Sequence, residues 1–281
     1  DEEHPDVLVI IDYPDFNWRL VARAKERGIP VFSYSPPSAW AWRKGRAKSC
    51  AALADEIVAI FPHELPPYEA AGANISFVGN PLVDTVRAEM PPAEARRHFG
   101  IGADDVPILL LPGSRREEIE RLLPPMLGAA ERLGAADPAR RFFLPVAGGV
   151  DEECIRAHRA ASAAEVTLTH AARYALMGLP AVVLYRMSAL SYLIGRLLVD
   201  VPRFSLPNIL LGETFETELL QGAVQPDRIA AEMEKIIADG AERGYVTERL
   251  SRAAARLGEP HAARRGAEKI LALGRKRYCT P

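Results

Sequence analysis

Apolar residues along this chain fall into short, nearly unbroken runs separated by polar turns and by stretches of helical spacing. Residues 7–11 (VLVII), 30–34 (PVFSY), 56–60 (EIVAI) and 75–78 form four such runs within the first 80 positions. Runs rich in β-branched residues and lacking strict alternation suit parallel strands buried on both faces. Helical patterns lie between them at 17–26, closed by Gly28, at 47–54, and at 67–71 before Gly72. The rhythm resumes after Pro91-Pro92, with a helix over 93–99, a buried strand over 107–111 (PILLL) and a helix from there through 127. Strands follow at 142–146, 166–169 and 181–185, with helices at 152–161 and 188–198, and two long helices at 226–238 and 247–275 close the chain. Strand–helix alternation of this length predicts an α/β protein with parallel sheets. The boundaries predicted are 1–90 for a first domain, 91–225 for a second, and 226–281 for C-terminal helices that pack back on the first domain or on a partner subunit.

Composition alters little of this. The 281 residues suffice for two domains, hydrophobic residues make up 48% and charged residues 26%, and the formal net charge is −2. That balance gives no global attraction to nucleic acid. Cys50, Cys154 and Cys279 are too few and too far apart for a disulfide framework, which fits a reducing compartment. The six histidines make no HxH or HxxxH pair, so no zinc site is expected. No run of about 18 apolar residues is present to span a bilayer.

Chemistry is expected where strands end, because ligands of open α/β sheets sit beyond the carboxyl ends of the strands. The most specific local signal is Leu111-Pro112-Gly113-Ser114-Arg115 at a strand-to-helix junction. Gly113 lets backbone approach a ligand, Ser114 offers a hydroxyl and a helix cap, and the helix N-terminus with Arg115 suits a diphosphate. The competing reading is an ordinary capped turn with Arg115 in solvent. Asp12, directly after the first strand, could accept a proton from a sugar hydroxyl, with burial raising its pKa; alternatively Asp12 or Asp15 caps the next helix, the better reading for Asp15.

Weaker signals remain. Trp40-Ala41-Trp42-Arg43 could form a platform for a sugar face or an acyl chain, or could simply pack one tryptophan and leave the other at a rim. Arg43, Lys44, Arg46 and Lys48 form a basic cluster fit for lipid phosphate or for plain solvation. Asn208, Glu218 and Gln221 carry groups that suit a sugar or diphosphate, or that cap helices. The apolar helix at 189–198, with Arg186, Arg196 and Arg203 near it, reads equally as core or as a membrane-surface helix.

Seven stretches occur together in one order: Ile11-Asp12-Tyr13-Pro14-Asp15-Phe16-Asn17, Trp40-Ala41-Trp42-Arg43, Phe77-Val78-Gly79-Asn80-Pro81-Leu82, Leu111-Pro112-Gly113-Ser114-Arg115, Tyr185-Arg186-Met187, Ser205-Leu206-Pro207-Asn208 and Glu218-Leu219-Leu220-Gln221. This ordered set resembles the lipid-A-disaccharide synthase family. The resemblance implies a GT-B-like fold, two Rossmann-like domains with parallel sheets facing a cleft, the first domain incomplete at its N-terminus because the family's opening Gly-rich unit is absent. It implies an inverting, metal-independent transfer from UDP-2,3-diacylglucosamine to 2,3-diacylglucosamine 1-phosphate (lipid X), giving the β-1,6-linked lipid A disaccharide 1-phosphate and UDP. No cofactor or nucleic acid is implied.

By position, the resemblance makes Asp12 the candidate catalytic base. It places Gly113, Ser114, Arg115, Tyr185, Arg186, Asn208, Glu218 and Gln221 on the donor side, and Trp40, Trp42, Arg43 and Asn80 on the acceptor and lipid side. It implies peripheral attachment to the cytoplasmic side of the inner membrane of a Gram-negative bacterium, and it admits a homodimer. Two departures stand out. Asn80 occupies a position where the family usually has His, and the family's Ser-Gly-Thr-x-x-x-Glu segment, which precedes the Tyr185-Arg186 strand, is missing near Met177-Gly178. Two further readings stay open, another UDP-sugar enzyme of the same fold, or a non-catalytic remnant that kept the fold after losing that segment.

Overall fold

The computed structural model describes residues 5–86, 90–146, 150, 152–169, 179–199 and 201–279, with the side chains of 276–279 excluded. Two compact units are present. The first comprises residues 1–86, 194–202 and 253–281, and the second 87–193 and 203–252.

The first unit is built on a four-stranded, all-parallel sheet of β1 (Leu8–Ile11), β2 (Val31–Tyr34), β3 (Glu56–Ala59) and β4 (Ile75–Phe77), in the spatial order 1-2-3-4. The helices between the strands are α1 (Pro14–Glu26), α2 (Arg46–Leu53) and α3 (Leu65–Glu69), and α4 (Leu82–Thr85) follows β4. Successive strand residues serve opposite faces, as the pleat requires. Ile10, Val31 and Ile57 pack with Val21 and Ala24 of α1, Ala47 and Cys50 of α2, and Tyr68 of α3. Phe32 and Val58 pack on the other face with Val78 and Leu273. Leu273 comes from the last helix of the chain, so burial on both faces explains why these strands read as unbroken apolar runs.

The second unit opens with α5 (Pro92–His98). It carries β5 (Val106–Leu109), β6 (Arg140–Pro145) and β7 (Val166–Thr169) as a parallel sheet, and β8 (Val183–Tyr185) and β9 (Glu218–Leu220) as a parallel pair. Its helices include α6 (Arg116–Ala136), α7 (Glu152–Ala160), α9 (Leu206–Leu211), α10 (Pro226–Ala238) and most of α11 (Gly240–Ala255), while α8 (Ala189–Leu198) and α12 (Ala262–Cys279) are the remaining α-helices among the described residues. One core joins the strand residues Ile108, Phe142, Leu144, Val166 and Leu219 to a face of α6, to Ile155 and to Ile229 of α10.

Three expectations change. The helix expected to stop at residue 127 runs on to Ala136 through Pro124 and Pro125. An interior proline costs about 3 kcal/mol, but Ile119, Leu122, Leu123, Met126, Leu127 and Leu133 are all buried along this helix, and each such side chain contributes about 1.5–3 kcal/mol. The single helix expected over 247–275 is two helices, α11 and α12, broken at Gly258-Glu259-Pro260. The C-terminal helices are also not one block, because α10 packs on α6 while α12 covers the first unit's sheet.

The break has a geometric cause. Gly258 and Gly79 both have positive φ (88° and 91°), and a Cβ on Gly258 would lie 2.9 Å from Gly79 Cα. Asn80 N–H donates to the Leu257 carbonyl at 2.8 Å, and the Arg265 guanidinium donates to the carbonyls of Val78, Glu259 and Pro260. Asp84 accepts the N–H groups of His261 and Ala262, capping α12 from a position 177 residues earlier. Lys269 then pairs with the buried Glu56 at 2.8 Å. The Phe77-to-Leu82 stretch is therefore the seat of α12. Asn80, expected on the acceptor side, is buried with its side-chain oxygen accepting Leu82 N–H at 2.9 Å. Its backbone N–H and its side chain both help to shape that seat.

Candidate functional site

In the first unit, β1 delivers Asp12 at its carboxyl end. The carboxylate is exposed, not buried as expected, and makes no hydrogen bond or ion pair among the described residues. Its backbone is unusual. Asp12 (φ 48°) and Tyr13 (φ 44°) are consecutive non-glycine residues in the left-handed region, which costs about 1–2 kcal/mol per residue. Pro14 then starts α1. Asp15 is not the cap expected of it. It lies within the first helical turn, where its charge suits the dipole, and pairs with Arg46 of α2. The hydrogen bond and charge of Arg46 hold the Asp15 carboxyl below the usual carboxylate range.

The Trp40-to-Arg43 stretch is a turn beside this edge. Trp40 is half-buried, its ring edge-on to His63 with centroids 4.5 Å apart. Arg43 sits over the Trp42 ring at 4.5 Å, a cation–π contact. Trp42 also forms an isolated bridge with Val199. Trp40 is thus largely spent on packing, while Arg43 is exposed.

In the second unit, Gly113, Ser114 and Arg115 lie exposed between β5 and α6. A feature the sequence reading passes over is Glu118. Its Oε2 accepts the backbone N–H groups of Ser114 (3.1 Å) and Arg115 (3.2 Å), and its Oε1 accepts from the Arg115 guanidinium at 2.9 Å. Burial pulls the Glu118 carboxyl upward, but these donors together hold it below its usual range. Gly113, at φ 104°, leaves room for it, since a Cβ there would meet the Glu118 Cβ at 2.9 Å. Glu118 therefore takes the N–H groups of the two residues just before α6, and the Arg115 side chain, 83% exposed, stands beside the helix start. A carboxylate reaching back to N–H groups at a helix start was the available signal.

A second group of predicted residues meets around α9. Asn208 is fully buried. Its amide donates to the Glu216 carbonyl (2.9 Å) and to Glu218 (2.8 Å), and its oxygen accepts the N–H groups of Phe215 (3.0 Å) and Glu216 (3.1 Å). Glu218 also accepts Phe204 and Ser205 N–H, each at 2.9 Å. Ser205 donates its hydroxyl to Glu216 at 2.7 Å. Burial pushes the Glu216 carboxyl up, the Ser205 bond opposes this, and the Glu218 charge adds to it. Gln221 clamps Met187 through both backbone groups, at 2.7 and 3.1 Å. The Asn208 amide is thus fully engaged within the fold, Glu218 accepts two backbone N–H groups and the Asn208 amide, and Gln221 spends its amide on the Met187 backbone. Tyr185, stacked on Phe204 at 5.5 Å, and Arg186 are exposed. The missing-segment position at Met177-Gly178 lies outside the described residues.

The family model described as lipid-A-disaccharide synthetase matches residues 1–174 and 152–271. The chain belongs to the lipid-A-disaccharide synthase family. The synthase of Syntrophus aciditrophicus is 43% identical over 296 residues, covering 98% of this chain and 77% of that protein. The synthase of Myxococcus xanthus is 38% identical over 97% of this chain and 76% of its own length. The family match extends past Gln221, where the quoted motifs stop, into α12.

Solved structures place the fold in the GT-B class. A UDP-N-acetylglucosamine 2-epimerase from Neisseria meningitidis, solved with UDP-GlcNAc, superposes with a TM-score of 0.57 at 13% identity, covering 96% of this chain and 77% of that one. A glycotransferase of kitacinnamycin does so at 0.55 and 18%, covering 100% and 77%. At these identities the likeness is one of fold. The expected class, α/β with parallel sheets in two Rossmann-like units, is the one found.

Proposed function

We propose that this chain forms the lipid A disaccharide by moving 2,3-diacylglucosamine from UDP to the 6-hydroxyl of 2,3-diacylglucosamine 1-phosphate. The observation that carries this is 43% identity to a lipid-A-disaccharide synthase over 98% of the chain. Asp12 takes the proton of the acceptor hydroxyl as its oxygen attacks the anomeric carbon. The bond from that carbon to the diphosphate oxygen breaks, and its electron pair leaves with UDP. The leaving diphosphate is met by the Arg115 guanidinium and the Ser114 hydroxyl at the start of α6, where Glu118 holds the N–H groups of Ser114 and Arg115. Tyr185 and Arg186, exposed at the end of β8, complete the donor side. A coupled assay of UDP release from UDP-diacylglucosamine tests the function. Release that depends on added lipid X is expected; release at one rate with and without it would overturn the reading.

Arg115→Ala should weaken UDP binding by about 1.5–3 kcal/mol, the loss of a charged hydrogen bond. Titration calorimetry with UDP reads this directly, and an unchanged affinity would remove Arg115 from the donor site.

Acylated substrates imply work at a membrane, and α8 is formed for one. Leu190, Leu193, Ile194, Leu197 and Leu198 recur at helical spacing, all are exposed, and no residue of this helix is buried. The core reading of this segment therefore fails. Among the described residues no helix is long and apolar enough to cross a bilayer, so an amphipathic helix lying in the interface is the form that fits, with Arg196 beside the apolar stripe. The proposed setting is the cytoplasmic face of the inner membrane of a Gram-negative bacterium. Co-sedimentation with anionic vesicles should fall when Leu193 and Leu197 are both changed to serine; equal binding by the variant would exclude α8 as the anchor.

A further inference from the structure

We infer that Asn17 is a positioning residue for the transfer step, holding the turn after β1 in the conformation that presents Asp12. This rests on the reading of Asp12 as the base. Two consecutive left-handed residues, neither of them glycine, persist only where their surroundings enforce the conformation. Aspartate tolerates that region better than most residues, but tyrosine does not. Tyr13 is the residue that precedes α1, and no side chain caps the helix there. The enforcing group comes instead from the fourth helical position. Asn17 Nδ2 reaches back to the Asp12 carbonyl at 2.7 Å and to the Ile11 carbonyl at 3.3 Å. Its own backbone N–H donates to the Tyr13 carbonyl at 3.1 Å. On the sheet side, Asp12 N–H donates to the Tyr34 carbonyl at 3.3 Å, and Pro14 fixes the next φ.

The chemistry of the contact selects asparagine. Two carbonyl oxygens one residue apart call for two hydrogens on one short arm, which a side-chain amide supplies. Aspartate has the same shape and no donor when ionised, and serine has one donor. The Asp12 carboxylate itself is exposed and unpaired among the described residues, so its direction is set by the backbone beneath it. Asn17 touches that backbone and not the carboxylate, and it acts through Asp12.

The test compares full-length wild type, Asp12→Ala, Asn17→Ala and Asn17→Asp in kcat, in KM for each substrate, and in thermal unfolding. Asn17→Ala is expected to lower kcat about 30- to 100-fold, the scale of a misplacement near 1 Å, with both KM values within about threefold of wild type. Asn17→Asp is expected to be slower still at pH 8, where its carboxylate faces two carbonyl oxygens. If Asn17→Ala does not fold, Asn17→Ser, with one donor, carries the same comparison. Full kcat in the alanine variant, a loss that tracks the unfolded fraction, or wild-type kcat in Asn17→Asp would overturn the positioning role. An undiminished Asp12→Ala would instead sink the assignment of Asp12 as base, so the two failures are separable.

Discussion

Asp12→Ala is expected to lower kcat by about 10²- to 10⁴-fold, the usual contribution of a positioned general base, while the affinity for UDP stays at the wild-type value. The base acts on the acceptor hydroxyl, so its removal leaves the donor contacts intact. Nearby Asp15 is a poor substitute, because Arg46 pairs with it and holds its carboxyl low, and a carboxylate held in its charged form takes a proton less readily. Asp15→Ala should therefore cost far less in kcat than Asp12→Ala. Steady-state turnover with both substrates, set beside calorimetric titration of UDP, checks this. A fall in UDP affinity as large as the fall in rate would move Asp12 to the donor site.

Asn208→Ala is expected to destabilise the second unit by about 3–5 kcal/mol. Four hydrogen bonds disappear, and the buried N–H groups of Phe215 and Glu216 lose their acceptor. Each buried group left unsatisfied costs about 1–3 kcal/mol. The same change takes a donor from Glu218 and leaves the buried Glu216 carboxyl in a disrupted network. Denaturant unfolding reads the effect. A variant of wild-type stability that binds UDP weakly would restore Asn208 to the donor contacts in which its motif first placed it.

Much of the scaffold was legible because parallel strands buried on two faces leave an unmistakable local record. The runs at β1, β2 and β3 needed only the neighbouring residues to be recognised, and α1 and α10 followed from helical spacing, although α1 starts at Pro14, three residues before the expected position 17. Elements that depend on distant partners left weaker records. β9 is three residues long and exists by pairing with β8. The break between α11 and α12 reads as one continuous helical pattern until Gly258 is seen against Gly79.

The sequence by itself determined the class of fold, the family, and the residue types at each strand end, because these depend on local order and on an ordered set of motifs. Only the tertiary structure decided which polar groups remain for a substrate. Asn208, Glu218 and Gln221 look like ligand contacts in the chain and are consumed by backbone and by one another in the fold. Glu118 takes the backbone N–H groups of Ser114 and Arg115 just before α6. Asn80 and Asp84 serve α12, and α8 turns its leucines to solvent. The reason is physical: a hydrogen-bonding group is available or spent according to what lies within about 3 Å of it, and in a fold those neighbours come from anywhere along the chain.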